Sequence, residues 1–165
     1  VSRDVMQSAM EEMLNINPIG NKVFKALSRF LEQDFELLEI DANERTLTHR
    51  VAIYLQDLFP DMNVDCEYNR DDHDPKDMFL PGGDGDVYDT DAQTVYPDII
   101  VHRRKTGENL LVMEFKKTSS RVDDKKDFLK LREYKSQLHY HYAIFVEFDV
   151  GCLSSGVTRV EWVNA

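Results

Sequence analysis

Two apolar runs of this chain carry charges that plain strands would lack. Asp98 follows Pro97 at the head of the first run, and Glu114 and Lys116 interrupt the second, LLVMEFK. Side chains alternate faces along a strand, so Glu114 and Lys116 emerge on one side and Met113 and Phe115 on the other. If Asp98 shares that side, two carboxylates and an ammonium converge over a sheet, an arrangement costly to bury unless paired or holding a metal. Hard oxygen donors of this kind suit Mg²⁺, with Mn²⁺ as substitute, which needs only one or two carboxylates and otherwise keeps its waters. Phosphodiester hydrolysis requires neutralised phosphate charge, a hydroxide-like nucleophile and a stabilised departing oxygen. Asp98 and Glu114 supply metal ligands for that chemistry, and Lys116 a group to orient or help deprotonate the attacking water. The competing reading is structural: Asp98 caps a turn, and Glu114 and Lys116 form an ion pair on an exposed face.

Several elements must position these groups. Thr106-Gly107-Glu108-Asn109 predicts the turn of a β-hairpin spanning Val95 to Lys116. Its second strand is nearly continuous in apolar residues and is expected at the centre of a sheet, buried on both faces. Upstream, a helix is predicted from Asp41-Ala42-Asn43-Glu44 to Phe59, stopped by Pro60-Asp61, with Leu47, Val51, Tyr54, Leu55 and Leu58 as its stripe. Glu44 lies at the N-terminal end of that stripe. It either joins the carboxylates or closes a capping box with Asp41. Val64, Cys66 and Tyr68 alternate with polar residues and suggest a short strand. Downstream, a helix from about Val122 to Leu138 places Phe128, Leu131, Tyr134 and Leu138 toward the sheet and Lys126, Lys130 and Gln137 nearer its edge. Strands follow at His141 to Phe148 and Val157 to Val163, joined by a turn over Gly151 to Gly156. His139 and His141 straddle a helix-to-strand boundary and are expected to be surface or structural.

The flanks are less specific. Residues 1–40 read as two helices broken at Asn17-Pro18 and Gly20-Asn21, an extension packed on a core domain spanning 41–165. Residues 71–94 carry eight aspartates, a Gly-Gly pair and two prolines, and predict a loop insertion without ordered strand or helix. Asp84-Gly85-Asp86 resembles the start of a calcium loop, but Tyr88 and Asp89 stand where an oxygen ligand and a glycine are required. A length of 165 residues with 42% hydrophobic content fits one domain. No run approaches the roughly 20 apolar residues of a membrane helix, and the N-terminus lacks a signal-peptide layout, so the cytoplasm is expected. Cys66 and Cys152 predict reduced thiols rather than a zinc site or disulfide.

Net charge is −11, which argues against indiscriminate binding of polyanions. Its distribution is uneven. Lys116 to Lys135 holds eight basic and four acidic residues, a local +4 against −15 elsewhere. Lys117, Arg121, Lys126 and Lys130 in that segment are candidates to contact a nucleic acid backbone.

Pro97-Asp98, then Glu114-Phe115-Lys116, with Glu44 on a preceding helix, resembles the PD-(D/E)XK nuclease superfamily, also called restriction-endonuclease-like. The resemblance spans about residues 41–149. It implies an α/β fold with a central mixed sheet of four to five strands flanked by helices, and a metal-dependent nuclease acting on nucleic acid, DNA more than RNA. Under it, Asp98, Glu114 and Glu44 match metal-binding positions, Lys116 the catalytic lysine, and Gln137 a polar position on the following helix. The alternative on the same scaffold is a catalytically weak or inactive module acting through a protein partner or a homodimer, using the acidic loop or N-terminal helices.

Overall fold

The computed structural model describes residues 3–68, 77–78, 93–94 and 96–164. In chain order these form helices α1 (Arg3–Leu14), α2 (Pro18–Gln33), α3 (Phe35–Glu39) and α4 (Glu44–Leu58), then strands β1 (Asn63–Cys66), β2 (Asp77–Met78), β3 (Gln93–Thr94), β4 (Ile99–His102) and β5 (Asn109–Lys117). Helix α5 (Lys125–Gln137) and strands β6 (Tyr142–Asp149) and β7 (Gly156–Trp162) complete the chain. The architecture is α/β. A five-stranded open mixed sheet has the order β1-β4-β5-β6-β7, antiparallel throughout except for the parallel pair β5 and β6, which α5 connects. Parallel neighbours need such a crossover, so α5 runs back along β5 in the opposite direction.

Alternation along the strands separates two layers of core. Ile99, Val101, Leu111, Met113, Phe115, Ile144, Val146 and Phe148 face α1, α2 and α4, meeting Leu14, Leu27, Phe30, Leu47, Val51 and Leu55. Ile100, Val112, Ala143 and Phe145 face α5, meeting Leu131, Tyr134 and Leu138. The N-terminal helices therefore contribute to the main core itself rather than lying over a finished one. Strand β5 is central, as its near-continuous apolar sequence predicts, and Leu111 to Phe115 are all buried.

Three local readings need correction. The break over Gly20-Asn21 is not a break: Asn17 alone starts α2, its side chain accepting from Gly20 N at 2.8 Å with Pro18 in the first turn. Gly20 has a different duty, because a Cβ there would lie 1.8 Å from Leu14 O and 2.8 Å from the Trp162 ring. Within 71–94, Asp77–Met78 and Gln93–Thr94 pair as a two-stranded antiparallel ladder where no strand is expected. The Asp84-Gly85-Asp86 segment lies outside the described residues. Finally, Asp41 does not cap α4. Its backbone sits at φ 52°, a left-handed conformation that Asp tolerates, and Asn43 takes the cap by accepting from Arg45 N at 2.8 Å. Cys66 and Cys152 are free thiols, both exposed. Among the described residues no helix is long and apolar enough to cross a membrane.

Candidate functional site

The register of the β4–β5 ladder builds the site. Ile99 pairs with Met113 and Ile100 with Val112, so one further step places Asp98 opposite Glu114. Asp98 precedes the strand proper, and its side chain replaces a ladder carbonyl: Oδ2 accepts from Phe115 N at 2.8 Å. Alternation gives Asp98 the same face as Ile100 and Val112, the face covered by α5. The convergence expected of Asp98 and Glu114 is therefore found, and Lys116 emerges on the same face two residues on.

Helix α5 completes the arrangement with groups of opposite sign. Lys130 Nζ lies 2.9 Å from Glu114 Oε1, and Lys116 Nζ lies 2.7 Å from Asp127 Oδ2. The crossing follows from direction. Because α5 runs antiparallel to β5, Asp127 comes level with Lys116 and Lys130 with Glu114. Three helical residues rise about 4.5 Å and two strand residues about 6.6 Å, a mismatch that long lysine side chains absorb. One helical turn beyond Lys130, Tyr134 is fully buried with its hydroxyl beside Glu114.

Electrostatically the site is strained toward positive charge. Glu114 is only 1% exposed, and burial together with the Asp98 charge pushes its carboxyl well above the ordinary range, although Lys130 pulls the other way. Burial raises Asp98 as well, tempered by the Phe115 amide and its hydrogen bond with Glu114. Glu44, half-buried at the start of α4, is raised by burial and by the Asp98 charge. Burial pulls against the charge on Lys130, yet Glu114, Asp98 and Asp127 hold its ammonium above the ordinary value. Burial first, then Glu114, likewise pushes the Tyr134 phenol upward. Fully ionised, Glu44, Asp98, Glu114 and Asp127 outnumber Lys116 and Lys130 by two among the described residues, and Lys117 acts on Glu44 from the other face.

Among the described residues, no three His, Cys, Asp or Glu side chains are grouped so as to hold a metal ion. Glu44 therefore does not close a three-carboxylate cage with Asp98 and Glu114, and its link to Asp98 acts through space. The adjacent pair still fits a hard divalent ion, since Mg²⁺ takes one or two carboxylates and fills its remaining positions with water. Two desolvated carboxylates in contact form a donor set whose charge such an ion matches.

The basic residues fare differently from one another. Lys117 turns to the opposite face, where Nζ donates to Asp41 Oδ1 and to Ala42 O, each at 2.9 Å. Ser119 Oγ donates to the same Asp41 oxygen at 2.9 Å. Lys117 thus ties β5 to the loop that launches Glu44, and is a brace rather than the exposed contact expected of it. Lys130 points inward onto Glu114 rather than along the sheet edge. Arg121 and Lys126 are exposed, and Gln137 Nε2 donates to Glu133 at 2.5 Å. His139 and His141 are both on the surface, as expected.

Sequence reasoning gave Asp127 no role and placed Tyr134 only as a residue facing the sheet. Both left a signal. An acid and a lysine three apart on a helix, following Glu-x-Lys on the strand it must run back along, are pre-matched in sign. A tyrosine in a stripe otherwise made of Phe128, Leu131 and Leu138 needs a polar neighbour once buried. No family model, curated protein or solved structure matches this chain.

Proposed function

We propose that this chain is a metal-dependent nuclease of the PD-(D/E)XK, restriction-endonuclease-like type, hydrolysing phosphodiester bonds of nucleic acid, DNA in preference to RNA. The observation that carries the reading is the register-opposed pair Asp98 and Glu114, desolvated at the end of the β4–β5 ladder with Lys116 on the same face. Asp98 and Glu114 would hold a Mg²⁺ or Mn²⁺ ion, which would supply activation of water and neutralisation of phosphate charge. The Phe115 amide holds Asp98 at the ladder end, and Lys130 holds the Glu114 carboxylate in place from α5. Lys116, 13% exposed and steadied by Asp127, is placed to orient the attacking water. Exposed Arg121 and Lys126 supply backbone contacts on the α5 side.

The test is cleavage of labelled DNA and RNA with and without Mg²⁺ or Mn²⁺. Metal-dependent cleavage should disappear in both Glu114→Ala and Lys116→Ala; survival in either removes that residue from the site. One observation favours a second reading, a nuclease-fold module that acts by binding a protein or a second copy of itself. Both lysines of the cluster are held in ion pairs, and the surrounding chain is strongly acidic. A stoichiometric protein partner, together with no metal-dependent cleavage of any substrate, identifies that case.

A further inference from the structure

We infer that Lys130 is a built-in counter-cation of the acidic pair, which a divalent metal must displace from Glu114 before the site can act. The inference rests on the metal-site reading of Asp98 and Glu114 and adds to it how that site is regulated. Lys130 Nζ sits 2.9 Å from Glu114 Oε1, one of the two oxygens by which this carboxylate would hold a metal. It is also within electrostatic reach of Asp98 and Asp127. Lys116 is not the competitor, because its own contact is with Asp127, outside the ligand pair.

The physical logic is one of exchange. Two adjacent carboxylates in a dry site need positive charge, and without metal α5 provides one ammonium. A divalent ion at about 2.1 Å brings twice the charge closer than the lysine can come. Both cannot occupy the same lone pairs of Glu114. The Lys130 side chain keeps 24% of its surface exposed, so its head has a way out toward solvent. Lys126, one turn earlier on the same side of α5, is already exposed there. Displacement therefore does two things: it opens the ligand and adds a second cation to the face where a phosphate backbone would lie. Metal loading and substrate attraction become coupled through one side chain, and the coupling is reciprocal.

Calorimetric titration with Mn²⁺ at mildly alkaline pH tests this on wild type, Lys130→Gln, Lys130→Met and Glu114→Gln. Removing a competitor of this kind should tighten Mn²⁺ binding about tenfold or more, whereas Glu114→Gln should abolish it. A measurement on the wild-type chain guards against a variant that fails to fold: reductive methylation of Lys130, read by mass spectrometry, should rise several-fold on adding Mg²⁺ while that of Lys117 stays constant. Unchanged Mn²⁺ affinity in both Lys130 variants, or unchanged Lys130 labelling in the presence of bound metal, overturns the exchange and leaves the metal site standing. Failure of wild type and both variants to bind Mn²⁺ overturns the site and the exchange together.

Discussion

Glu114→Gln distinguishes a functional carboxylate from a structural one, because the two roles predict opposite changes in stability. The Lys130 ammonium at 2.9 Å attracts the ionised carboxylate by about 6 kcal/mol at an effective dielectric of about 20. Opposing it are the dehydration of a group that is 1% exposed, itself several kcal/mol, and the charge of Asp98. The direction of titration decides between them. Burial and Asp98 hold Glu114 well above its ordinary value, so they outweigh the lysine, and the charged form is a net cost to the fold. An amide of the same shape removes that cost. Replacing a buried ion pair whole by neutral groups of similar volume gains up to about 1–4 kcal/mol, whereas removing one partner costs about 3–5 kcal/mol when the other charge stays buried. Lys130 keeps 24% of its side-chain surface exposed and can turn to solvent, so we expect a gain of about 1 kcal/mol, or roughly 2–4 °C in melting temperature for a chain of this length. The pH dependence fixes the sign. A carboxyl raised in the folded state contributes its stability below the unfolded value of 4.5 and loses it as pH rises through the folded value. The advantage of Glu114→Gln should thus vanish in acid and grow as pH rises above 4.5. Thermal unfolding followed by circular dichroism in chelator, over a pH series, measures it. A variant that melts below wild type at neutral pH, or a difference that ignores pH, refutes the reasoning and makes the Lys130 contact a stabilising brace.

Other expectations concern different parts of the fold. Gly20→Ala should gain helix propensity on paper, yet its Cβ would fall 1.8 Å from Leu14 O, so chemical denaturation should show a loss of about 2 kcal/mol or more. Asp65 behaves oppositely to Glu114. Burial raises it, but His102 and Arg104 overcome burial and hold it at about 2, so its contribution is present above 3.8 and lost as pH falls toward 2. Discounting for the solvent-facing arginine, Asp65→Asn should cost about 1–2 kcal/mol at neutral pH and almost nothing at pH 2, read from acid unfolding. Arg121→Ala and Lys126→Ala, both exposed, should each reduce the salt slope of nucleic acid binding by about 0.7–0.9, with little change in melting temperature.

What could be read in advance was whatever periodicity carries. The apolar run of β5 announced a central strand, and an alternation of two placed Glu114 and Lys116 together and Met113 with Phe115 behind them. The stripes of α4 and α5 announced which faces they bury. Asp98 joining Glu114 depended on register, which the Thr106-Gly107 turn suggests without determining, since a shift of one residue would send Asp98 to the other face. Long-range side-chain choices were beyond such rules. Nothing local tells Lys117 to reach back to Asp41, 76 residues earlier, or makes Asn43 rather than Asp41 the cap of α4. Asp41 turns in the left-handed region, closed by Asp41 N to Leu38 O and Ala42 N to Leu37 O, and its carboxylate is taken by Lys117 and Ser119. The basic segment misled for a related reason: a count of charges sees Lys117 and Lys130 as surface, while the fold spends both inside.

The joining of α1 to β7 has a kinetic meaning. Trp162 Nε1 donates to Met13 O at 2.8 Å, 149 residues away, and Arg3 reaches the Leu153 carbonyl across a span of 150. Met10 and Leu14 are buried in the core that β7 helps close. At ribosomal speed the first helix emerges on the order of ten seconds before its partner strand exists. Until then the side of α1 that packs on β7 has no native cover, and once β6 is made neither has its outer edge. Contacts of such long sequence separation form late and slow the search, so the docking of β7 against α1 belongs to the slow part of folding.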